Sequence, residues 1–244
     1  MRHDFGTAIA SKVMLMAHVT FHRNSALFPL SQGDETPSPF SDAFPYELYD
    51  DPYLDSQTGM DDLIRKLVDQ LGNTASEVKR HCERVAILSG RIAMALDLSP
   101  GMIAHAKLAG ALHDIGKVNI PSEILRKPHQ LGDPELRAIQ EIPVQSASIA
   151  RQLGFPYEVQ RAILESHERP DGKGYPLGLD RERISMLARI VAVADCFDSL
   201  TNPQPYRQAC SALEAIGIIR SKVHFQFDID IANCLTCLKL PMEC

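Results

Sequence analysis

From about residue 61 onward, apolar side chains recur every three or four positions, a spacing that predicts successive amphipathic helices. The first long helix opens at Thr74–Glu77, which has the pattern of a capping box, and its apolar stripe includes His81, Val85 and Leu88. No stretch alternates as a strand would, and no internal repeat is visible, so the predicted fold class is all-α. Further helices are predicted over 99–116, 134–153 (bent at Pro143), 156–167, 184–200 and 206–220.

The residues before this helical region have a different composition. Residues 1–33 predict no element, and their role is unknown. We interpret residues 34–60 as an acidic, proline-rich linker, because 34–55 contain four prolines, seven acidic residues and no Lys or Arg. The predicted domain then occupies 61–230, and 231–244 are expected to form a C-terminal tail.

Charge and cysteine content narrow the partner classes and the compartment. The net charge of −6 over 244 residues disfavours a general affinity for nucleic acid, because nothing offsets the phosphate charge. No stretch reaches the roughly 18–20 apolar residues of a spanning helix, so no membrane span is expected. The six cysteines are too few for a disulfide scaffold, and Cys234 and Cys237 lack the second pair of a zinc site. Free thiols in a reducing cytoplasm are the favoured interpretation.

Ionisable side chains stand on several of the apolar stripes. A single histidine there is usually a core residue with a hydrogen-bond partner. A buried aspartate is harder to explain, since it needs a cation or several donors. The set is explained more simply together, as the ligands of a divalent metal between facing helices. Its members are His81, His113, Asp114, His167 and Asp195, and Asp198 follows three residues after the last of them.

The motifs around these residues occur in a characteristic order. After His81 come HDIGK at 113–117, HERPDGKGYP at 167–176, VADCFDSL at 193–200, PYR at 205–207 and Phe227-Asp228. Over about residues 74–228 this order resembles the HD-GYP subgroup of the HD phosphohydrolases. The resemblance implies an all-helical HD-domain bundle with additional C-terminal helices. It also implies metal-dependent hydrolysis of the bacterial second messenger cyclic di-GMP to pGpG or GMP.

The resemblance assigns roles to matching residues. The implied ligands of one or two divalent ions, iron or manganese, are His81, His113, Asp114, His167, Asp195 and Glu77. Glu77 has an equal second interpretation, as the residue that completes the capping box. The implied catalytic residues are Asp114 as a carboxylate between metals, Lys117 against phosphate, and Asp198 as support for a ligand or the leaving group. The implied substrate-binding residues are Lys117, Gly174, Tyr175, Pro176 and Arg207.

Three positions depart from the HD-GYP pattern. Ile142 and Ser166 stand where the pattern has histidines, before the proline of the third helix and before His167. Both losses fall on the second metal, so the sequence predicts one complete metal site and one damaged site. Gln204 replaces an arginine expected to contact phosphate, and an amide cannot supply that charge.

Because of these departures, two other functions stay open. A catalytically degenerate HD-GYP module would keep the fold and one metal and act by binding a ligand or a partner, for example a GGDEF-type protein. An HD hydrolase of another nucleotide would keep turnover but change substrate. Metal content and turnover separate the first alternative from an enzyme, and a substrate panel tests the second. A homodimer is compatible with each of these functions.

Overall fold

The computed structural model describes residues 76–125, 127, 130–203 and 208–238. Within these ranges the chain is mostly helical and forms no sheet, with isolated bridges only between Asp171 and Asp180 and between Val223 and Phe227. The predicted all-α class is therefore confirmed. The predicted cap at Thr74, the N-terminal segment 1–33, the linker 34–60, and Gln204 and Arg207 lie outside the described residues, as does the side chain of Glu77.

The helices of the described ranges follow one another with short connections. They are α1 (Ser76–Ala95), α2 (Pro100–Leu112), α3 (Ser122–Leu125), α4 (Asp133–Gln140), α5 (Ile142–Gln152), α6 (Tyr157–Glu165), α7 (Met186–Thr201), α8 (Ala212–Ser221) and α9 (Ile229–Cys237). Short 3₁₀ helices lie at Ile115–Asn119 and Arg181–Arg183.

Helix α7 is the centre of the core. It packs against α1, α2, α6, α8 and α9. Its residues Ile190, Val191 and Ala194 are fully buried, as the apolar periodicity of this segment predicts. Since Asp195 and Asp198 belong to the same helix, their carboxylates are held on an element that packs against five others.

Helix α2 ends earlier than the sequence indicates. It was expected to continue to Gly116, but it ends at Leu112, and a 3₁₀ helix follows from Ile115. The Ser146 hydroxyl of α5 accepts a hydrogen bond from the Gly116 amide at 2.9 Å. A Cβ at Gly116 would lie 2.7 Å from the carbonyl oxygen of Ile142. This close approach of α5 draws the chain out of the α-helix, so His113 and Asp114 lie at a turn.

The other boundaries differ from prediction by one to six residues. The predicted bent helix over 134–153 is two helices, because Pro143 has no N–H to continue the hydrogen-bond ladder of α4. The helix predicted to start at Tyr206 starts at Ala212, where Ser211 and Glu214 form a capping box. Helix α6 ends at Glu165 rather than at His167.

Helix α9 was not predicted, and it extends across residue 230 to Cys237. The Asp228 carboxylate caps it by accepting from the amides of Asp230 and Ile231. Ile231, Ala232 and Leu235 are buried in the core. Each cysteine in the described ranges is a free thiol. No helix in those ranges has both the length and the apolar character needed to cross a membrane.

Candidate metal centre

His81 projects from α1 towards the carboxylates of α7 and of the turn after α2. Its Nε2 lies 3.2 Å from Asp195 Oδ1 and 3.6 Å from Asp114 Oδ2. Its Nδ1 lies 2.7 Å from Asp198 Oδ2. The two ring nitrogens of His81 therefore face different surroundings, with two carboxylates on the Nε2 side and one on the Nδ1 side.

His113 lies at the C-terminus of α2 and is 1% exposed. Its Nδ1 is 2.8 Å from the Gly110 carbonyl oxygen, which can only accept, so Nδ1 carries the proton. Its Nε2 is buried and has no hydrogen-bond partner. That nitrogen lies 3.5 Å from Asp114 Oδ2 and 3.9 Å from Asp195 Oδ1. A buried imidazole nitrogen that keeps its lone pair and lies within 4 Å of two carboxylates is suited to bind a metal ion.

The donor atoms of these residues come close enough together for one ion. Ligand atoms of His81, His113 and Asp114 all lie within 4.8 Å of one another. Asp195 belongs beside them, because its Oδ1 lies close to the Nε2 atoms of both histidines. The residues present therefore fit a divalent transition metal, since imidazole and carboxylate ligands suit such ions.

The two carboxylates of the cluster, Asp114 and Asp195, have lowered pKa values although burial opposes their ionisation. Burial by itself would raise the pKa of Asp114, but Lys117, His113 and His81 hold it well below its usual range. Burial likewise opposes ionisation of Asp195, and the hydrogen bond from His81 outweighs it and lowers that pKa. For His81, burial lowers the pKa, but hydrogen bonds to Asp195 and Asp198 raise it to about 9. Both carboxylates are thus ionised and ready to meet a cation.

Lys117 lies next to the cluster in the 3₁₀ helix. Its Nζ donates a hydrogen bond to Asp114 Oδ2, and its side chain is 25% exposed. Burial lowers its pKa, but the adjacent Asp114 carboxylate raises it above the ordinary value. Lys117 is therefore a fixed cation at the edge of the candidate centre and remains within reach of solvent.

Asp198 contacts the Nδ1 side of His81, whereas Asp114 and Asp195 lie near its Nε2 atom. Arg84 donates two hydrogen bonds to Asp198, from Nε to Oδ1 at 2.6 Å and from Nη2 to Oδ2 at 2.9 Å. The amide of Asn202 donates a further bond to Oδ1 at 3.0 Å. The sequence interpretation did not single out Arg84, although its position three residues after His81 places both on one face of α1.

His167 follows α6 and stacks on Tyr175 of the glycine-rich loop. The two rings lie 5.0 Å apart with an angle of 14° between their planes. The Tyr175 amide also donates to the His167 carbonyl at 3.2 Å. Burial lowers the pKa of His167, whereas the charges of Asp195 and Asp114 partly oppose that effect. The assignment of His167 as a metal ligand remains a prediction.

The loop itself is closed by a carboxylate that the sequence did not mark as functional. Glu168 is 3% exposed. Its two oxygens accept hydrogen bonds from the backbone amides of Leu177, Gly178 and Leu179 at 2.6 to 3.1 Å. A Cβ at Gly174 would come within 2.5 Å of the Arg169 nitrogen, so only glycine fits there. Glu168 therefore ties the returning half of the loop to its start, with Tyr175 and Pro176 between them.

Two of the three departures from the HD-GYP pattern lie within the described residues, and neither supplies an imidazole. Ile142, at the start of α5, is 2% exposed and has no donor atom in its side chain. Ser166 is 3% exposed, and its hydroxyl donates to the carbonyl of Ile163 at 2.9 Å. That hydrogen bond occupies the proton of Ser166 within its own helix end. The predicted metal ligand Glu77 and the predicted substrate-binding residue Arg207 stay predictions.

A family model described as HD domain matches residues 62–231 of the chain. The chain belongs to the HD-domain family. The resemblance to the HD-GYP group is confirmed as well, and the metal-binding chemistry of such hydrolases is consistent with the His/Asp cluster.

Curated relatives of this HD domain include three bacterial phosphodiesterases. A cyclic di-GMP phosphodiesterase of Pseudomonas aeruginosa is 42% identical over 56% of the chain and 33% of its own length. The 3'3'-cGAMP-specific phosphodiesterase 1 of Vibrio cholerae is 33% identical over 75% of the chain and 43% of its own length. A Thermotoga maritima cyclic di-GMP phosphodiesterase is 40% identical over 59% of the chain and 40% of its own length. The chain thus spans about a third to two fifths of these relatives.

Solved structures share the helical architecture of this HD domain. A cyclic GMP-AMP phosphodiesterase of Vibrio cholerae matches 72% of the chain and 47% of its own, with a TM-score of 0.56 and 21% identity. An HD-GYP-type protein of Bdellovibrio bacteriovorus matches 78% of the chain and 66% of its own, with a TM-score of 0.56 and 20% identity. At these identities the likeness concerns the fold.

Proposed function

We propose that this HD domain is a metal-dependent phosphodiesterase of cyclic dinucleotides, with cyclic di-GMP as the first candidate substrate and pGpG or GMP as product. The observation that carries the proposal is the convergence of His81, His113 and Asp114, with His113 Nε2 buried and without a hydrogen-bond partner. Relatives named as cyclic di-GMP phosphodiesterases support the substrate class. Free thiols such as Cys82 are in keeping with a reducing bacterial cytoplasm.

The proposed metal site holds one ion per chain. His81, His113, Asp114 and Asp195 would bind it, and iron or manganese suits two imidazoles with carboxylates. When bound, such an ion lowers the pKa of a water molecule and relieves negative charge on the phosphoryl oxygens. Ile142 and the hydrogen-bonded Ser166 argue against a second ion of equal affinity.

The remaining parts of the site would bind and orient the phosphodiester. Lys117 meets a non-bridging phosphate oxygen in this proposal, because it is cationic, partly exposed and held by Asp114. Gly174, Tyr175 and Pro176 form the loop that closes over the substrate, and the stack of Tyr175 on His167 keeps the loop close to the cluster. Arg207, which the HD-GYP resemblance assigns to substrate binding, would add a further contact to the substrate.

Turnover of cyclic di-GMP by the full chain tests the proposal. The protein is loaded anaerobically with Fe(II) or Mn(II), incubated with cyclic di-GMP, and the products are separated by chromatography. We expect pGpG or GMP, and we expect the variant His113→Ala/Asp114→Ala to form neither. An exposed-site variant, Glu123→Ala, serves as the matched control and should keep the wild-type rate. Absence of product from metal-loaded wild type contradicts the proposal for this substrate.

Other cyclic dinucleotides belong in the same assay. Two relatives specific for 3'3'-cGAMP match 67% and 75% of the chain, whereas the cyclic di-GMP phosphodiesterases of P. aeruginosa and T. maritima match 56% and 59%. We therefore include 3'3'-cGAMP and cyclic di-AMP at equal concentration. A higher kcat/KM for 3'3'-cGAMP would keep the reaction class and reassign the substrate.

A binding module is the second candidate, and Ile142 and Ser166 are the observations that favour it. Such a module would bind cyclic di-GMP, or a partner such as a GGDEF-type protein, without cleaving anything. Saturable binding of cyclic di-GMP with no product at any metal concentration would favour the module. Product formation abolished by His113→Ala/Asp114→Ala would exclude it as the whole function.

A further inference from the structure

Arg84 and Asp198 form a pair whose contacts end at the back of His81. The Arg84 guanidinium donates to both oxygens of Asp198, and Asp198 Oδ2 in turn meets His81 Nδ1 at 2.7 Å. These two hydrogen bonds hold the Asp198 carboxylate in one orientation and place a positive charge beside it, because the guanidinium fork is planar and rigid. The pair joins α1 to α7, and its partners are 114 positions apart in the sequence.

The hydrogen-bond capacity of Asp198 is taken up on this side of His81. Its oxygens accept from Arg84 Nε, Arg84 Nη2 and the Asn202 amide, in addition to the contact with His81. Asp198 is 4% exposed, so water does not compete freely for it. A carboxylate held in this way can only accept, so it selects the His81 tautomer that carries its proton on Nδ1.

The selected tautomer leaves His81 Nε2 as the nitrogen that faces Asp114 and Asp195. That is the nitrogen required for metal binding in the cluster. Partners that hold the far side of a metal-binding histidine typically change metal affinity about 10–100-fold when they are removed. Loss of Arg84 would free Asp198 to rotate, and the orientation of His81 would be lost with it.

We propose that Arg84 is a positioning residue of the metal centre, which acts through Asp198 to hold His81 in its metal-binding tautomer and orientation. This inference rests on the metal site of the proposed function, but not on its substrate. In this role Arg84 does not bind phosphate, because its guanidinium already donates to both oxygens of the Asp198 carboxylate.

Mn(II) binding without nucleotide tests this inference, so a failure of cyclic dinucleotide turnover does not affect it. The full metal-free chain is titrated with Mn(II), and free ion is followed by electron paramagnetic resonance. We expect Arg84→Met to weaken binding about 10–100-fold and Arg84→Lys to weaken it less, since a lysine keeps the charge but loses the fork. Arg80→Met, an exposed change on the same helix, should bind Mn(II) like wild type.

A double-variant cycle separates action through Asp198 from a general loss of structure. If Arg84 acts only through Asp198, Arg84→Met added to Asp198→Asn should cause no further loss of Mn(II) affinity. Thermal melting identifies any variant that does not fold, and Arg84→Lys then supplies the cycle. The inference would be overturned if Arg84→Met bound Mn(II) as tightly as wild type. It would also be overturned if the fold-loss of Mn(II) affinity in the double variant equalled the product of the two single-variant losses. A rise in KM alone, at unchanged Mn(II) affinity, would instead make Arg84 a phosphate contact and overturn it too.

Discussion

At the scale of single residues, the chemistry of the site depends on which nitrogen of each histidine is left to bind. His113 donates a hydrogen bond from Nδ1 to the Gly110 carbonyl, and the Nδ1 of His81 lies against Asp198. Both therefore present Nε2 to Asp114 and Asp195. Two rings oriented by separate backbone and side-chain partners are the arrangement that a preorganised metal site requires, and this supports the proposed metal centre.

The pKa of His81 makes metal binding dependent on pH. Its pKa is raised to about 9 by Asp195 and Asp198 against the effect of burial, so an ion must displace a proton from it. Apparent Mn(II) affinity should therefore rise about tenfold per pH unit between pH 6.5 and about 8.5, with about one proton released per ion. Calorimetric titration in buffers of different ionisation enthalpy measures both quantities. Affinity that does not change over this range would contradict the prediction.

The raised pKa of His81 also makes the stability of the metal-free chain depend on pH, and this stability falls over the range in which metal affinity rises. The folded-state pKa of His81 lies above its ordinary value of 6.5, so protonated His81 contributes stability that is complete below pH 6.5 and is lost as pH rises through about 9. Urea unfolding of metal-free protein across that range should show the loss. The variant His81→Gln should show a flatter pH profile, and an equally steep profile would assign the dependence to another group.

Histidines at Ile142 and Ser166 should restore a second ion. Both positions are buried, and both hold histidines in the HD-GYP pattern that the chain resembles. The double variant Ile142→His/Ser166→His is expected to bind about two Mn(II) per chain, whereas each single variant binds about one. Metal analysis after gel filtration gives the counts, and melting curves confirm folding. A folded double variant that still holds one ion would show that the loss of the second site has another cause.

At the scale of elements, the sequence predicted the helices better than their ends. Periodicity located the buried faces of α1, α2 and α7, because it reports which side of a helix meets the core. It could not locate the end of α2, which depends on a hydrogen bond between Gly116 and Ser146, 30 residues away. Periodicity also singled out His81 and Asp195, because both lie on apolar stripes. It missed Arg84, because its pairing with Asp198 of another helix leaves no periodic signal.

The glycine-rich loop depends on one close approach of its backbone to α6's C-terminal connection. A Cβ at position 174 would lie 2.5 Å from the Arg169 nitrogen, and backbone cannot move aside as a flexible side chain would. Gly174→Ala should therefore destabilise the fold by about 1–3 kcal/mol and lower any turnover. Gly217→Ala, in exposed helix with no atom within 4 Å of the new Cβ, should instead stabilise it by about 0.5–1 kcal/mol. Urea denaturation compares the two, and equal stabilities would contradict the close approach.

The loop also depends on the buried Glu168 carboxylate. Glu168→Ala leaves the amides of Leu177, Gly178 and Leu179 without their acceptor and should cost about 1–3 kcal/mol. Hydrogen exchange at those three amides should become faster, while exchange in α7 stays slow. Glu158→Ala, at an exposed position of α6, is the matched control. Unchanged protection of the three amides in Glu168→Ala would contradict this role.

At the scale of the whole molecule, the HD domain is a helical bundle organised around α7. Its composition and periodicity indicated an all-α fold, and the motifs indicated the family. The order of packing was not predictable from the sequence, since contacts such as α9 against α1 and α7 join segments far apart in the chain. The bundle buries the His/Asp cluster on several sides, with His113 1% and Asp114 3% exposed, as the proposed metal centre requires.

The metal content of the purified chain tests the central claim most directly. Full-length protein is loaded anaerobically with Fe(II) or Mn(II), freed of unbound ion by gel filtration, and analysed by mass spectrometry for metal per chain. We predict about one ion per wild-type chain and none in a folded His113→Ala/Asp114→Ala variant. Wild-type protein without metal, or a folded variant that keeps its ion, would contradict a metal centre built on His81, His113, Asp114 and Asp195.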